Sequence, residues 1–87
     1  MYTEIVTFDS GVSRLRINID PENIYFTDEN FKSILSTCSM MIDRAAVKCL
    51  LGLIQKLKDK SNNVEDNLKV IEVRNMLNRY EAGLIEI

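Results

Sequence analysis

From Val12 to Ile19 the chain alternates: Leu15, Ile17 and Ile19 fall on one side, Arg14, Arg16 and Asn18 on the other. A period of two predicts a half-buried strand. Tyr2 to Phe8, rich in β-branched and aromatic residues, predicts a partner strand, and Asp9-Ser10-Gly11 between them has the composition of a three-residue hairpin loop. Asp20-Pro21-Glu22-Asn23 follows as a turn, with proline where φ near −65° is wanted. Ile24-Tyr25-Phe26 is then a short third strand.

Beyond Phe26 the period changes. Thr27 is placed as a helix N-cap, Asp28 and Glu29 complement the helix N-terminus, and Phe26 and Phe31 stand at the two positions of a hydrophobic staple. Phe31, Leu35, Cys38, Ile42, Ala45, Cys49 and Leu53 share one side of a helical wheel. This predicts one helix running to about Asp59, with Lys56, Lys58 and Lys60 at its C-terminal end. Ser61-Asn62-Asn63 breaks the pattern, Asn62 or Asn63 caps a second helix to about Ala82, and Gly83 suits its C-terminus. Leu84 to Ile87 is read as an overrun of that helix or a short final strand, the strand being favoured. The chain, 1–87, is thus expected to be one α+β domain: an N-terminal antiparallel β-hairpin or three-stranded sheet, followed by a long antiparallel α-hairpin.

The helical hairpin has apolar residues on two sides. Opposite the core stripe of the first helix lie Val47, Leu50, Leu51 and Ile54. In the second helix Val70, Val73, Leu77 and Tyr80 form one stripe, with Val64, Leu68 and Ile71 across the wheel. A short connection makes the two helices antiparallel neighbours, so both doubled regions lie at the same end. An unbroken first helix is roughly 45 Å long at ~1.5 Å per residue, whereas a seven-residue strand covers about 23 Å. Its apolar end therefore overshoots the sheet. Val47, Leu50, Leu51, Ile54, Leu68 and Ile71 are the candidate interface. The alternative is a middle-layer helix, covered on both sides by its own chain.

Composition narrows the function classes. At 87 residues, 46% hydrophobic and 28% charged, the chain is a single globular domain with a thin core of its own. The net charge of −2 gives no overall pull towards nucleic acid or anionic lipid. Its distribution is uneven: residues 32–60 carry six bases and two acids, and the flanking segments are acidic. No leader-like segment begins the chain, and the longest uncharged apolar run, Cys49 to Ile54, is far short of the ~18–20 residues that span a bilayer. A cytoplasmic location without membrane attachment is expected. Cys38 and Cys49, eleven residues apart on one helix, would sit about 16 Å apart and could not form a disulfide.

No histidine is present, which excludes Ser-His-Asp and Cys-His catalysis and histidine metal sites. Two cysteines do not make a structural zinc site. The glycines, Gly11, Gly52 and Gly83, are too scattered for a phosphate-binding loop. The loop acids do not follow an EF-hand spacing. No cofactor or metal is expected. Arg14 and Arg16 on one strand face, with Lys56 and Lys58 at the helix end, are candidate contacts for an anion or an acidic partner. The function expected is that of a small non-enzymatic regulator or adaptor, of the size a phage or mobile element encodes. It would act on a protein partner and self-associate through the helical hairpin, a dimer being favoured. The alternative is a nucleic-acid-binding dimeric regulator using the arginine and lysine groups.

Overall fold

The computed structural model describes residues 4–60 and 64–87, with side chains at all of these except 60 and 64–66. Four helices follow in order among them: α1 (Phe8–Ile19), α2 (Asp28–Thr37), α3 (Ile42–Lys60) and α4 (Val64–Glu81). The described residues form no sheet; the one β-type pairing is an isolated bridge between Ile5 and Met41. The α+β expectation is therefore overturned, and the protein is all-α. The expected break at Ser61-Asn62-Asn63 and the start of the first expected strand lie outside the described residues.

The expected hairpin is α1. Leu15 and Ile19 satisfy a period of two, but Gly11, Leu15 and Ile19 also satisfy a helical period, and these three are buried while Ile17 is 67% exposed. Thr7 caps the helix, its side chain accepting from the Ser10 backbone N–H at 3.2 Å, and Asp9 lies in the first turn. Gly11 acts through its missing side chain. A Cβ there would lie 2.7 Å from Leu35 Cδ1 and 2.9 Å from Val6 Cγ2, so glycine lets α1 approach α2. Close packing of α1 on α2 selects helix over strand for a segment whose pattern allows both.

The third strand is also absent. Ile24, Tyr25 and Phe26 wrap the carboxylate of Asp20, which accepts from their three backbone N–H groups at 3.0, 2.9 and 2.9 Å. Arg16 closes the ring with Nη1 at 3.1 Å from Asp20 Oδ2 and 2.7 Å from the Phe26 carbonyl. Thr27 then starts α2 with a full capping box: Thr27 accepts from Asn30 N–H and Asn30 Oδ1 accepts from Thr27 N–H. The staple forms as expected, with the Phe26 and Phe31 ring centroids 5.1 Å apart.

The long first helix is in fact two. It stops at Thr37, turns through Ser39 and Met40 at φ +55° and +60°, and restarts at Ile42. Left-handed backbone at two non-glycine residues costs roughly 1–2 kcal/mol each. The turn recovers hydrogen bonds: Met40 N–H donates to the Leu35 carbonyl at 2.8 Å, Val6 N–H to Met40 at 2.9 Å, and Ile42 N–H to Glu4 at 2.9 Å. It also folds α2 back, so Phe31 and Leu35 are fully buried together with residues of α3.

α3 is the middle layer, packed on one side by α1 and α2 and on the other by α4. Its buried positions are Ile42, Ala45, Ala46, Cys49, Leu50, Leu53, Ile54 and Leu57. That 3-1-3-1 spacing gives a stripe wide enough for two neighbours. α4 supplies Val70, Val73, Leu77 and Tyr80. Just past its end at Glu81, Gly83 takes φ +78°, and Leu84 N–H donates to the Arg79 carbonyl at 2.9 Å. The tail 84–87 is not the expected strand. It turns back so that Ile87 is buried, and Arg14 Nε donates to the Ile87 carbonyl at 3.0 Å.

Candidate functional site

The six candidate interface residues separate into two groups. Leu50 and Ile54 are buried inside the chain, and Val47 is half-buried. Leu51, Leu68 and Ile71 are 53%, 56% and 54% exposed. α4 packed beside α3 covers the first group and leaves the second. Leu51 borders a groove between the two helices, formed with Ile54, Gln55, Lys58, Arg74, Leu77 and Asn78. On α4, Leu68 and Ile71 are three residues apart, as are Ile71 and Arg74, and such positions are neighbours on a helix surface. The exposed aliphatics and the groove thus form one strip along the hairpin. The charged residues that line the groove, Lys58 and Arg74, are both basic, while Asp59 and Glu72 follow Lys58 and Ile71 in sequence without lining it. No ion pair engages them among the described residues; Asp59 instead accepts from Gln55 at 3.0 Å.

The candidate anion contacts are placed differently from the shared strand face expected of them. On α1, Arg14 and Arg16 diverge, and each has internal partners. Arg14 reaches Glu4 at 2.5 Å and the Ile87 carbonyl through both Nε and Nη2. Arg16 pairs with Asp20 and with Asp28, at 2.7 Å, while its guanidinium carbon lies 4.8 Å from the Phe31 ring centroid. Lys56 Nζ stands over the Phe26 ring, 5.2 Å from its centroid, a cation–π contact on the staple. Lys58 alone of the four belongs to the strip.

A second place was not singled out from the sequence. Glu4, Arg14, Ile42, Asp43, Tyr80, Gly83, Ile85, Glu86 and Ile87 line a cleft of about 280 Å³ where α1, α3 and α4 meet the last residues of the chain. Within it the Tyr80 hydroxyl donates to Asp43 Oδ1. Asp43 Oδ2 is closed off from solvent and has no hydrogen-bond partner. Burial, then the bond to the Asp43 carboxylate, pushes the Tyr80 hydroxyl well above the ordinary phenol range, so it remains a donor. Sequence pattern put Tyr80 on the core stripe and did not single out Asp43. Their meeting depends on the packing of the start of α3 against the end of α4, which no local signal encodes.

The cysteines are both free, Cys49 buried and Cys38 half-buried. Because the helix breaks between them, the 16 Å separation expected along one helix does not apply. Burial raises the Cys49 thiol to about 12, and the nearby Cys38 thiol adds to the rise. Among the described residues, no three histidine, cysteine, aspartate or glutamate side chains are grouped to hold a metal ion. Nor is any helix long and apolar enough to cross a membrane. No family model, curated protein or solved structure matches the chain.

Proposed function

We propose that this chain is a small regulatory or adaptor protein that acts by protein–protein interaction, and that a second copy docks on the α3–α4 strip. The observation that carries this reading is the set of three aliphatic side chains on the α3–α4 hairpin, Leu51, Leu68 and Ile71, each more than half exposed, with Leu51 bordering the groove between the helices. Together they supply an apolar centre, while Gln55, Lys58, Arg74 and Asn78 supply a polar rim, the arrangement of a protein interface. The occupant follows from the aliphatic row: a twofold contact is made by one patch meeting itself, so Leu51 and Ile71 of each copy can cover those of the other. Asp59 and Glu72, next in sequence to Lys58 and Ile71, are the acids nearest along the chain for pairing with the partner's Lys58 and Arg74 at the rim.

The alternative, a nucleic-acid-binding dimer, loses support because Arg14 and Arg16 are held by internal carboxylates and carbonyls. Light scattering coupled to size-exclusion chromatography tests the proposal. A dimer at micromolar concentration is expected, converted to monomer by Leu51→Asp or Ile71→Asp with helicity retained. A wild-type monomer at that concentration overturns self-association. A DNA or RNA titration separates the alternative, since phosphate contacts would give affinity that falls steeply with salt.

A further inference from the structure

We propose that the cleft between α1, α3, α4 and the chain's last residues binds a small organic cation, an ammonium or guanidinium group on a short aliphatic chain. The inference is independent of the hairpin strip, which occupies a different set of residues.

Three observations point the same way. The first is charge. Glu4, Asp43 and Glu86 line the cleft against a single cation, Arg14, whose guanidinium is already engaged by Glu4 and the Ile87 carbonyl. An anion would meet an excess of carboxylates. The second is the orphaned oxygen. Asp43 Oδ1 is taken by Tyr80, and Oδ2 is buried with no donor. A buried acceptor left unmade costs about 1–3 kcal/mol, and more when it is charged. Such atoms are rare in folded chains and call for a partner. Asp43 lines the cleft, and a turn of its carboxylate would bring Oδ2 to a cation held there. The third is shape. Ile42, Ile85 and Ile87 provide aliphatic walls, and about 280 Å³ lies below the usual range of drug-sized ligand pockets, roughly 300–1,000 Å³. That volume fits an amine with a few carbons and not a nucleotide. A divalent metal is disfavoured because the acids are not gathered around one point.

The test is a titration of the folded, isotope-labelled protein with n-butylammonium, followed by backbone amide shifts, with 1-butanol as the uncharged counterpart. Saturable shifts centred on Asp43, Tyr80, Gly83 and Ile85 are expected, with the alcohol binding more weakly. Asp43→Asn should weaken n-butylammonium roughly tenfold or more, the loss of a charge-assisted bond. Tyr80→Phe leaves both Asp43 oxygens without a protein donor and should bind at least as tightly as wild type. If Asp43→Asn does not fold, Glu86→Gln, at an exposed position, should weaken binding about two- to threefold. A lysine derivative blocked at both backbone ends asks whether the cation is a free amine or a partner's side chain; the tighter of the two probes identifies the source. Shifts that never saturate, equal shifts with 1-butanol, or affinity unchanged in Asp43→Asn would overturn the proposal.

Discussion

Replacing Asp20 should cost more stability than any other single polar substitution in the chain. Its side chain is 2% exposed and accepts from the backbone of Ile24, Tyr25 and Phe26 and from Arg16. Asp20→Ala strands the buried Phe26 N–H and removes one of the two carboxylates that pair with the largely buried Arg16 guanidinium. Breaking a buried ion pair by removing one partner costs about 3–5 kcal/mol when the other is left uncompensated. Arg16 keeps Asp28 and the Phe26 carbonyl, and the Ile24 and Tyr25 groups lie nearer solvent and can hydrate, so the lost backbone bonds bring the total to about that range and not beyond it. Against a domain stability of about 5–15 kcal/mol, the melting temperature should fall by roughly 15–30 °C. Asp20→Asn keeps the shape but turns an NH2 towards one or more backbone donors, costing about 1–3 kcal/mol.

The pH dependence provides an independent check. Burial alone would raise the Asp20 pKa, but the N–H groups of Phe26, Ile24 and Tyr25, and then Arg16, outweigh it and hold the carboxyl below its ordinary value of 3.8. A carboxyl whose folded pKa is depressed stabilises the fold above its unfolded pKa, and that contribution is lost as pH falls from there through the folded pKa. Urea unfolding followed by circular dichroism from pH 5 downward should show wild-type stability falling with acid, with a shallower fall in Asp20→Asn. A destabilisation below about 1 kcal/mol for Asp20→Ala, the typical value of an ordinary hydrogen bond, or identical acid profiles for wild type and Asp20→Asn, would refute the reasoning.

Two further outcomes follow from burial. Ile54→Asp should unfold the protein, because Ile54 is sealed between α3 and α4, whereas Leu51→Asp, one turn away and half exposed, should leave circular dichroism and melting within about 0.5 kcal/mol of wild-type monomer stability. Cys49, with its thiol raised to about 12, should resist iodoacetamide at pH 8 until denaturant opens the core, which mass spectrometry of the labelled protein measures; labelling of native Cys49 as fast as a free thiol would contradict its burial.

The start of α2 and the end of α4 were the most readable parts of the sequence. Thr27, Phe26, Phe31 and Gly83 act through neighbours three to five residues away, and do what their local chemistry indicates, whereas the capping role of Asn30 was not read. The N-terminal third misled because Leu15 and Ile19 lie four apart, a spacing common to both periods. Ile17 was the discriminating residue, apolar by type yet exposed. Gly11 was read as a turn residue because glycine marks turns. Its role depends on Leu35, twenty-four residues away, and so could not be seen locally. The break at Ser39 and Met40 had no glycine or proline to announce it. Tertiary contacts from Glu4 and Val6 stabilise that turn.

The same distinction decides how charge should be read. Residues 1–31 contain two bases, and the sequence made them look available because they alternated with apolar positions. In the fold both are enclosed by the segment's own carboxylates and by carbonyls at Phe26 and Ile87. Arg16 ties α1 to the start of α2, and Arg14 ties it to the end of the chain. Consuming these two cations internally leaves the acids Asp9, Glu22 and Glu29 exposed on the N-terminal half, while Lys58 and Arg74 on the hairpin have no ion-pair partner among the described residues. The molecule is therefore more polar in its charge distribution than its sequence segments suggest. Self-association and steering of an acidic partner should both act through the hairpin, so raising salt should slow association with such a partner far more than it weakens an aliphatic contact centred on Leu51 and Ile71.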